Sequence, residues 1–206
     1  MTEPAPPRLA PIPKETWSDE ARAALAAAFP AEVVARLLST EPDAMPMPNV
    51  ISTLMHHPAL AGPFLAYNQV LLRSPALEPR VRELVILRVA WRTRSRYEWL
   101  QHVRLAPRVG ITADEIAAVA DGPDAGAWTP FEADLLSAAD QLVDGYRVED
   151  DTWGRLAKQL GERELVELVF VVGTYTGLAM AFKTFGLALD PELQALATTS
   201  LPEFEE

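Results

Sequence analysis

The chain of 206 residues contains no cysteine. That excludes disulfides, iron–sulfur clusters, cysteine-type zinc sites and any chemistry needing a thiolate. Positive charge is also scarce, with 18 Lys and Arg against 29 Asp and Glu and a net charge of −11. Phosphate binding needs a basic surface, so nucleic acid is not an expected partner. No stretch alternates apolar and polar residues with a period of two, so no sheet is expected. The most apolar segment, Leu165 to Leu189, is interrupted by Glu167 and Lys183 and holds three threonines, so a membrane span is not expected. The start is proline-rich and lacks an apolar run after a basic one, which does not read as a secretory signal; a cytoplasmic protein is expected.

The composition, 49% hydrophobic and 23% charged, is that of a globular protein able to bury a full core. Five prolines among residues 1–14 predict an extended arm over residues 1–15, and residues 16–206 read as one all-helical domain. Thr16 or Ser18 can cap a first helix to about Ala28, and Ala31 to Leu38 form a second. Asn49 can cap a helix over 50–55, and Pro58 opens one to about Leu72. A helix following Pro79 should break at Thr93 to Ser95, and the next should close at Pro107 and Gly110. Thr112 with Glu115, and Thr129 with Glu132, have the spacing of capping boxes. Further helices are expected over about 151–160 and 163–186. Asp140 and Asp144 read as a solvated acidic face, and His56 with His57 as boundary residues rather than metal ligands.

Chemistry-bearing residues concentrate between Glu83 and His102. Glu98 and His102 are four apart and share a helix face with Ser95. A carboxylate bonded to one imidazole nitrogen sets the tautomer and frees the other nitrogen for acid–base work. Ser95 and Glu98 have equally the spacing of a capping box, which needs no chemistry. Glu83 falls inside an apolar helix, where an unpaired carboxylate is costly and takes either a cation or a raised pKa. Arg80, Arg82, Arg88, Arg92, Arg94, Arg96 and Arg104 reverse the local sign of charge. They suit a small anionic ligand or a set of ion pairs. Trp91, Tyr97 and Trp99 are candidates for a pocket wall, the core or a subunit interface.

Arg82-Glu83-Leu84-Val85 recurs as Arg163-Glu164-Leu165-Val166, each time opening an apolar helix. This suggests two related helical halves, over about 57–110 and 129–187, with histidine chemistry confined to the first.

The segment RELVILRVAWRTRSRYEWLQHVRLAPRVGITADEI resembles the signature of the carboxymuconolactone decarboxylase family, which includes the AhpD-type alkyl hydroperoxidases. PNVISTLMHHPALAGPFLAYNQVLL, LLSAADQLVDGYRVEDDTW and ELVELVFVVGTYTGLAMAFKTFGLALD extend the resemblance to about residues 45–190. The peroxidase branch has glutamate, two cysteines and histidine where this chain has Glu83, Ser95, Glu98 and His102. With both cysteines absent, thiol peroxidase activity is excluded. The resemblance is to cysteine-free, decarboxylase-like members with a string like Tyr97 to His102. It implies an AhpD-like all-helical fold, no metal or organic cofactor, and a homo-oligomer, trimer or hexamer. It also implies that His102 is the general acid, oriented by Glu83 or Glu98, with Arg92, Arg96, Tyr97, Ser95 and Trp99 around a small carboxylated lactone or enolisable acid. The competing readings are an isomerase or lactone-rearranging enzyme, and a helical binding or assembly protein without turnover.

Overall fold

The computed structural model describes residues 6–41, 44–73, 75–197 and 202. Among them lie eleven α-helices, two short 3-10 helices and no strand, so the fold is all-helical. The chain divides into two compact units, Met1–Ser74 with Thr184–Asp190, and Pro75–Lys183 with Pro191–Glu206.

In the first unit, α1 (Asp19–Ala28), α2 (Ala31–Leu38), α3 (Asn49–Leu54) and α4 (Pro58–Arg73) close around Trp17, Leu25, Leu37, Ile51, Met55 and Leu65. Ser18 starts α1, its hydroxyl accepting from the Ala21 amide. Gly62 lets α4 press against α1, since a Cβ there would lie 3.3 Å from the Ala24 backbone. The described part of the proline-rich arm is fastened down. The Leu9 amide donates to the Phe185 carbonyl, and the Trp17 indole donates to the Ile12 carbonyl at 3.0 Å. Residues 1–5 of the expected arm fall outside the described residues. Asn49 is not the cap expected of it. It opens α3 from inside, and Asp190 supplies the acceptor for its amide at 2.8 Å.

In the second unit, α5 (Pro79–Arg92) is the central element, packed by α6 (Arg96–Leu105), α7 (Ala113–Asp121) and α8 (Pro130–Gly145). From Glu83 to Ala90 every residue of α5 is buried, so the helix is enclosed on all sides. α9 (Asp150–Leu156) ends earlier than the expected 160, and α10 (Glu162–Phe185) carries the long apolar run. Short α11 (Pro191–Leu196) was not expected, being a six-residue element with little periodicity to read. Both expected capping boxes form, at Thr112 with Glu115 and Thr129 with Glu132. Arg80 ties the two together, its guanidinium reaching Glu115 at 2.6 Å and Glu132 at 2.8 Å. α10 is long and apolar enough to cross a membrane by length and composition, but it is also a packing element of this unit, burying Leu168, Val171, Val172 and Tyr175.

Asp144 is exposed, as expected of a solvated acidic face, but Asp140 is not. Asp140 takes both forks of the buried Arg88 guanidinium at 2.7 Å, and Asp144 holds Arg92 at 2.7 Å. A cation enclosed in α5 must find its counter-charge on a neighbouring helix, which spacing along α8 alone does not reveal. Arg88 also donates to the Val119 carbonyl at 2.6 Å, and Gly122 is needed beside it, since a Cβ there would lie 2.9 Å from a guanidinium nitrogen. Arg88→Ala is expected to lower unfolding free energy by about 3 kcal/mol, because it leaves the partly buried Asp140 with only Arg92 at 3.7 Å and removes the donor to the Val119 carbonyl. Adding Asp140→Asn should recover part of the loss in denaturant titrations.

Candidate active site

The site is assembled by the reversal between α5 and α6. α5 ends where the Thr93 amide reaches the Val89 carbonyl and the Thr93 hydroxyl bonds the same oxygen at 2.7 Å. Arg94 then takes a left-handed conformation (φ 52), and Ser95 begins α6. The turn lays α6 on α5, and His102 meets Glu83 across 19 residues of sequence. The His102 Nδ1 and Glu83 Oε1 are 2.8 Å apart, with both side chains almost fully enclosed. With Nδ1–H donating to the carboxylate, the lone pair of the neutral imidazole lies on Nε2. Among the described residues nothing is hydrogen-bonded to that Nε2.

Glu98 lies one turn before His102 on α6 but is not its partner. Nor does the capping box at Ser95 form: the Ser95 amide already donates to the Ala90 carbonyl at 2.9 Å, so Glu98 has no amide to reach back to. Both Glu98 oxygens and the Ser95 hydroxyl are buried without a hydrogen-bond partner. Burial pushes the Glu98 carboxyl up to about 8, and the neighbouring Ser95 hydroxyl, which makes no well-formed hydrogen bond to it, offsets this only in part.

α10 adds a residue the sequence did not single out. Tyr175 meets His102 edge-on, ring centres 5.1 Å apart, and its phenol is held well above the usual range by burial and then by the Glu83 and Glu98 carboxylates. Its position within an apolar run was the only available signal, and core tyrosines share it. Of the remaining sequence candidates, Tyr97 and Trp99 are buried in aromatic packing, against Phe182 and Trp91 respectively, each pair 5.2 Å apart. Arg92 is bound to Asp144, and Arg96 is exposed at the start of α6. The structure therefore brings together Glu83, His102, Glu98, Ser95 and Tyr175, and places Arg92 and Arg96 elsewhere. Among the described residues no group of three His, Asp or Glu side chains is arranged to hold a metal ion.

The site is thus an enclosed helix pair holding a hydrogen-bonded carboxylate and imidazole, with a second buried carboxyl one turn away. Residues 58–141 match the model of the carboxymuconolactone decarboxylase family. No curated protein matches it in sequence. Among solved structures, it is similar to the alkylhydroperoxidase AhpD core of an uncharacterized peroxidase-related protein from Ralstonia eutropha JMP134. There the identity is 19%, the TM-score 0.69, and coverage 92% of this chain and 96% of that one. An uncharacterized peroxidase-related protein from Silicibacter sp. TM1040 matches at 16% identity and TM-score 0.72, covering 94% and 97%. A debrominase in complex with 2,3,4-tribromopyrrole matches at 14% identity and TM-score 0.64, covering 73% and 81%. At these identities the likeness is one of fold.

The Glu98 environment sets a pH dependence of stability. Unfolded, the carboxyl ionises near its ordinary 4.5; folded, it keeps its proton to about 8. Folding thus loses free energy as pH climbs through that window, by about 1.4 kcal/mol per pH unit at most. Glu98→Gln, uncharged in both states, is expected to match the parent near pH 4 and exceed it increasingly up to pH 8, as read from thermal or urea unfolding across pH.

Proposed function

We propose that this chain is a cofactor-free acid–base enzyme acting on a small enolisable carbonyl compound. The observation that carries the reading is the buried Glu83–His102 bond, which orients the imidazole while leaving Nε2 unbonded by protein. A purely scaffolding role predicts an enclosed histidine satisfied at both nitrogens, and only Nδ1 is satisfied here. Proton transfer at carbon next to a carbonyl needs an oriented base, its conjugate acid and stabilisation of the oxygen that gains charge; His102, Glu83 and the neighbouring Glu98 and Tyr175 supply groups of those kinds.

Two reactions fit this machinery. In the decarboxylation for which the family is named, a carboxylated lactone loses carbon dioxide, the electron pair delocalises into the lactone carbonyl, and protonated His102 returns a proton to carbon. In an isomerisation, His102 removes a proton from one carbon and returns it to another. The placement of the arginines favours the second: Arg88 and Arg92 are engaged by Asp140 and Asp144, and Arg96 is exposed, so these three do not form a carboxylate clamp at His102.

Self-association belongs to the same reading. α10 exposes Val166, Phe170 and Met180, with Gly173 and Gly177 between them, at spacings of four, three, four and three residues. No charged residue interrupts 168–182, and a Cβ at either glycine would meet nothing within 4 Å. A stripe of that period suits the same face of a second copy, small residues allowing close approach.

The test of activity is absorbance change and carbon dioxide release with 4-carboxymuconolactone, alongside isomerisation of related unsaturated lactones. His102→Ala is expected to cost about 100-fold or more in kcat, and Glu83→Gln about 10- to 100-fold. Activity untouched by His102→Ala would sink the reading. Phe170→Asp with Met180→Lys is expected to reduce the particle to a monomer in analytical ultracentrifugation, with the helical circular dichroism unchanged.

A further inference from the structure

Glu98 is the buried titratable group that the Glu83–His102 relay leaves unused. It is 2% exposed, and neither oxygen has a hydrogen-bond partner. On α6 it shares a face with His102, their Cβ atoms about 5–6 Å apart at this spacing. The groups facing this cluster come from three helices: Glu83 and Arg82 from α5, Ser95 and His102 from α6, and Tyr175 from α10. Arg82 acts on Tyr175, but no cation contributes to the environment of Glu98 itself. An ionised carboxylate enclosed without a cation, with only the Ser95 hydroxyl near it, would cost several kcal/mol, so the native group is the neutral acid. Among the described residues its O–H is a donor without an acceptor, one helical turn from His102, whose Nε2 is likewise unbonded.

We propose that Glu98 is a second catalytic acid, paired with His102 as base, and that the site shifts a proton within an uncharged enolisable carbonyl compound such as a lactone or ketone. The inference rests on the acid–base reading above and adds the substrate class. In the forward step, His102 Nε2 takes the proton from the carbon next to the carbonyl. The C–H electron pair becomes the enol C=C, and the carbonyl π pair takes the Glu98 proton to form the enol O–H. His102 is then an imidazolium held by Glu83, and Glu98 is a carboxylate. In the return step the enol O–H gives its proton back to Glu98. The imidazolium protonates the same carbon, or the far carbon of a conjugated system. Protons and charge balance, and no oxidant or reductant enters. An uncharged substrate follows from the surroundings. Glu83 already places a carboxylate here and Glu98 becomes a second one during turnover; Arg82 faces the cluster and can offset one of these charges, while Arg88, Arg92 and Arg96 are placed elsewhere, so a carboxylated substrate would add a further negative charge.

Two measurements test this. The first is an infrared difference spectrum between the parent and Glu98→Gln at pH 7. A carboxylic-acid C=O band present in the parent and missing in the variant is expected; its absence from the parent overturns the proposal without reference to any substrate. The second is deuterium uptake from heavy water by α-angelica lactone, an uncharged probe, compared with turnover of 4-carboxymuconolactone. Parent protein should catalyse exchange, and His102→Ala should lose it by about 100-fold or more. Glu98→Gln, which keeps the shape but cannot transfer a proton, should lose it about 100-fold together with the high-pH limb of the rate profile. Exchange lost in His102→Ala but kept in Glu98→Gln would overturn the second acid and leave the His102 reading intact. Turnover of the carboxylated lactone with no exchange of the uncharged one would overturn the substrate class alone. If neither probe reacts, both readings fall.

Discussion

One hydrogen bond between enclosed groups, from His102 to Glu83, is what the surrounding structure is built to permit. A carboxylate in the middle of a helix buried on every side has no water to solvate it, and Arg80, one turn before it on α5, is engaged by Glu115 and Glu132. The imidazole meets that need only if the chain turns back at once. The closing bonds of Thr93 and the left-handed Arg94 produce that turn, and the α6 face carrying His102 then rests on α5. Preorganisation and stability are thus the same requirement. The arrangement that satisfies Glu83 is the one that aims the imidazole.

The two glutamates near His102 differ because of what their neighbours leave open. Glu83 finds a donor and Glu98 does not, since the one amide within local reach of Glu98 is spent on α5's last carbonyls. Glu164, the counterpart of Glu83 in the repeated Arg-Glu-Leu-Val, takes the opposite path, accepting from the Gly161 amide at 2.7 Å as an ordinary helix-start residue. A shared local sequence therefore leads to a buried carboxyl–imidazole pair at Glu83 and a helix cap at Glu164. Burial and the presence of a facing histidine make the difference.

The arginines show how a charge pattern is spent on architecture. Arg80 joins two capping boxes, Arg88 locks α5 to α8 and to the end of α7, and Arg92 reaches Asp144. Each is a cation satisfied by helix ends or by a neighbouring carboxylate, and none of the three contributes to the environment of Glu98. A buried carboxyl that keeps its proton, one turn from an imidazole held by a second acidic side chain, suits the proton transfer proposed above.

Helix starts and stops were legible in the sequence because they rest on contacts within three or four residues. The capping boxes at Thr112 and Thr129, the proline-led helices at Pro58, Pro79 and Pro130, and the break at 93–95 all have local causes. The all-helical class and the absence of thiol chemistry were equally determined by the sequence, through apolar periodicity and the lack of cysteine. Pairing was not. That Glu83 rather than Glu98 bonds His102, that Asp140 serves Arg88, and that Tyr175 arrives from α10 are decided by which helix faces pack together. Such contacts span 19 to 73 residues, for which no local spacing rule holds. Tertiary structure also decided the protonation of Glu98, because a carboxyl's charge depends on the water and donors around it, and both are set by packing rather than by neighbours in the chain.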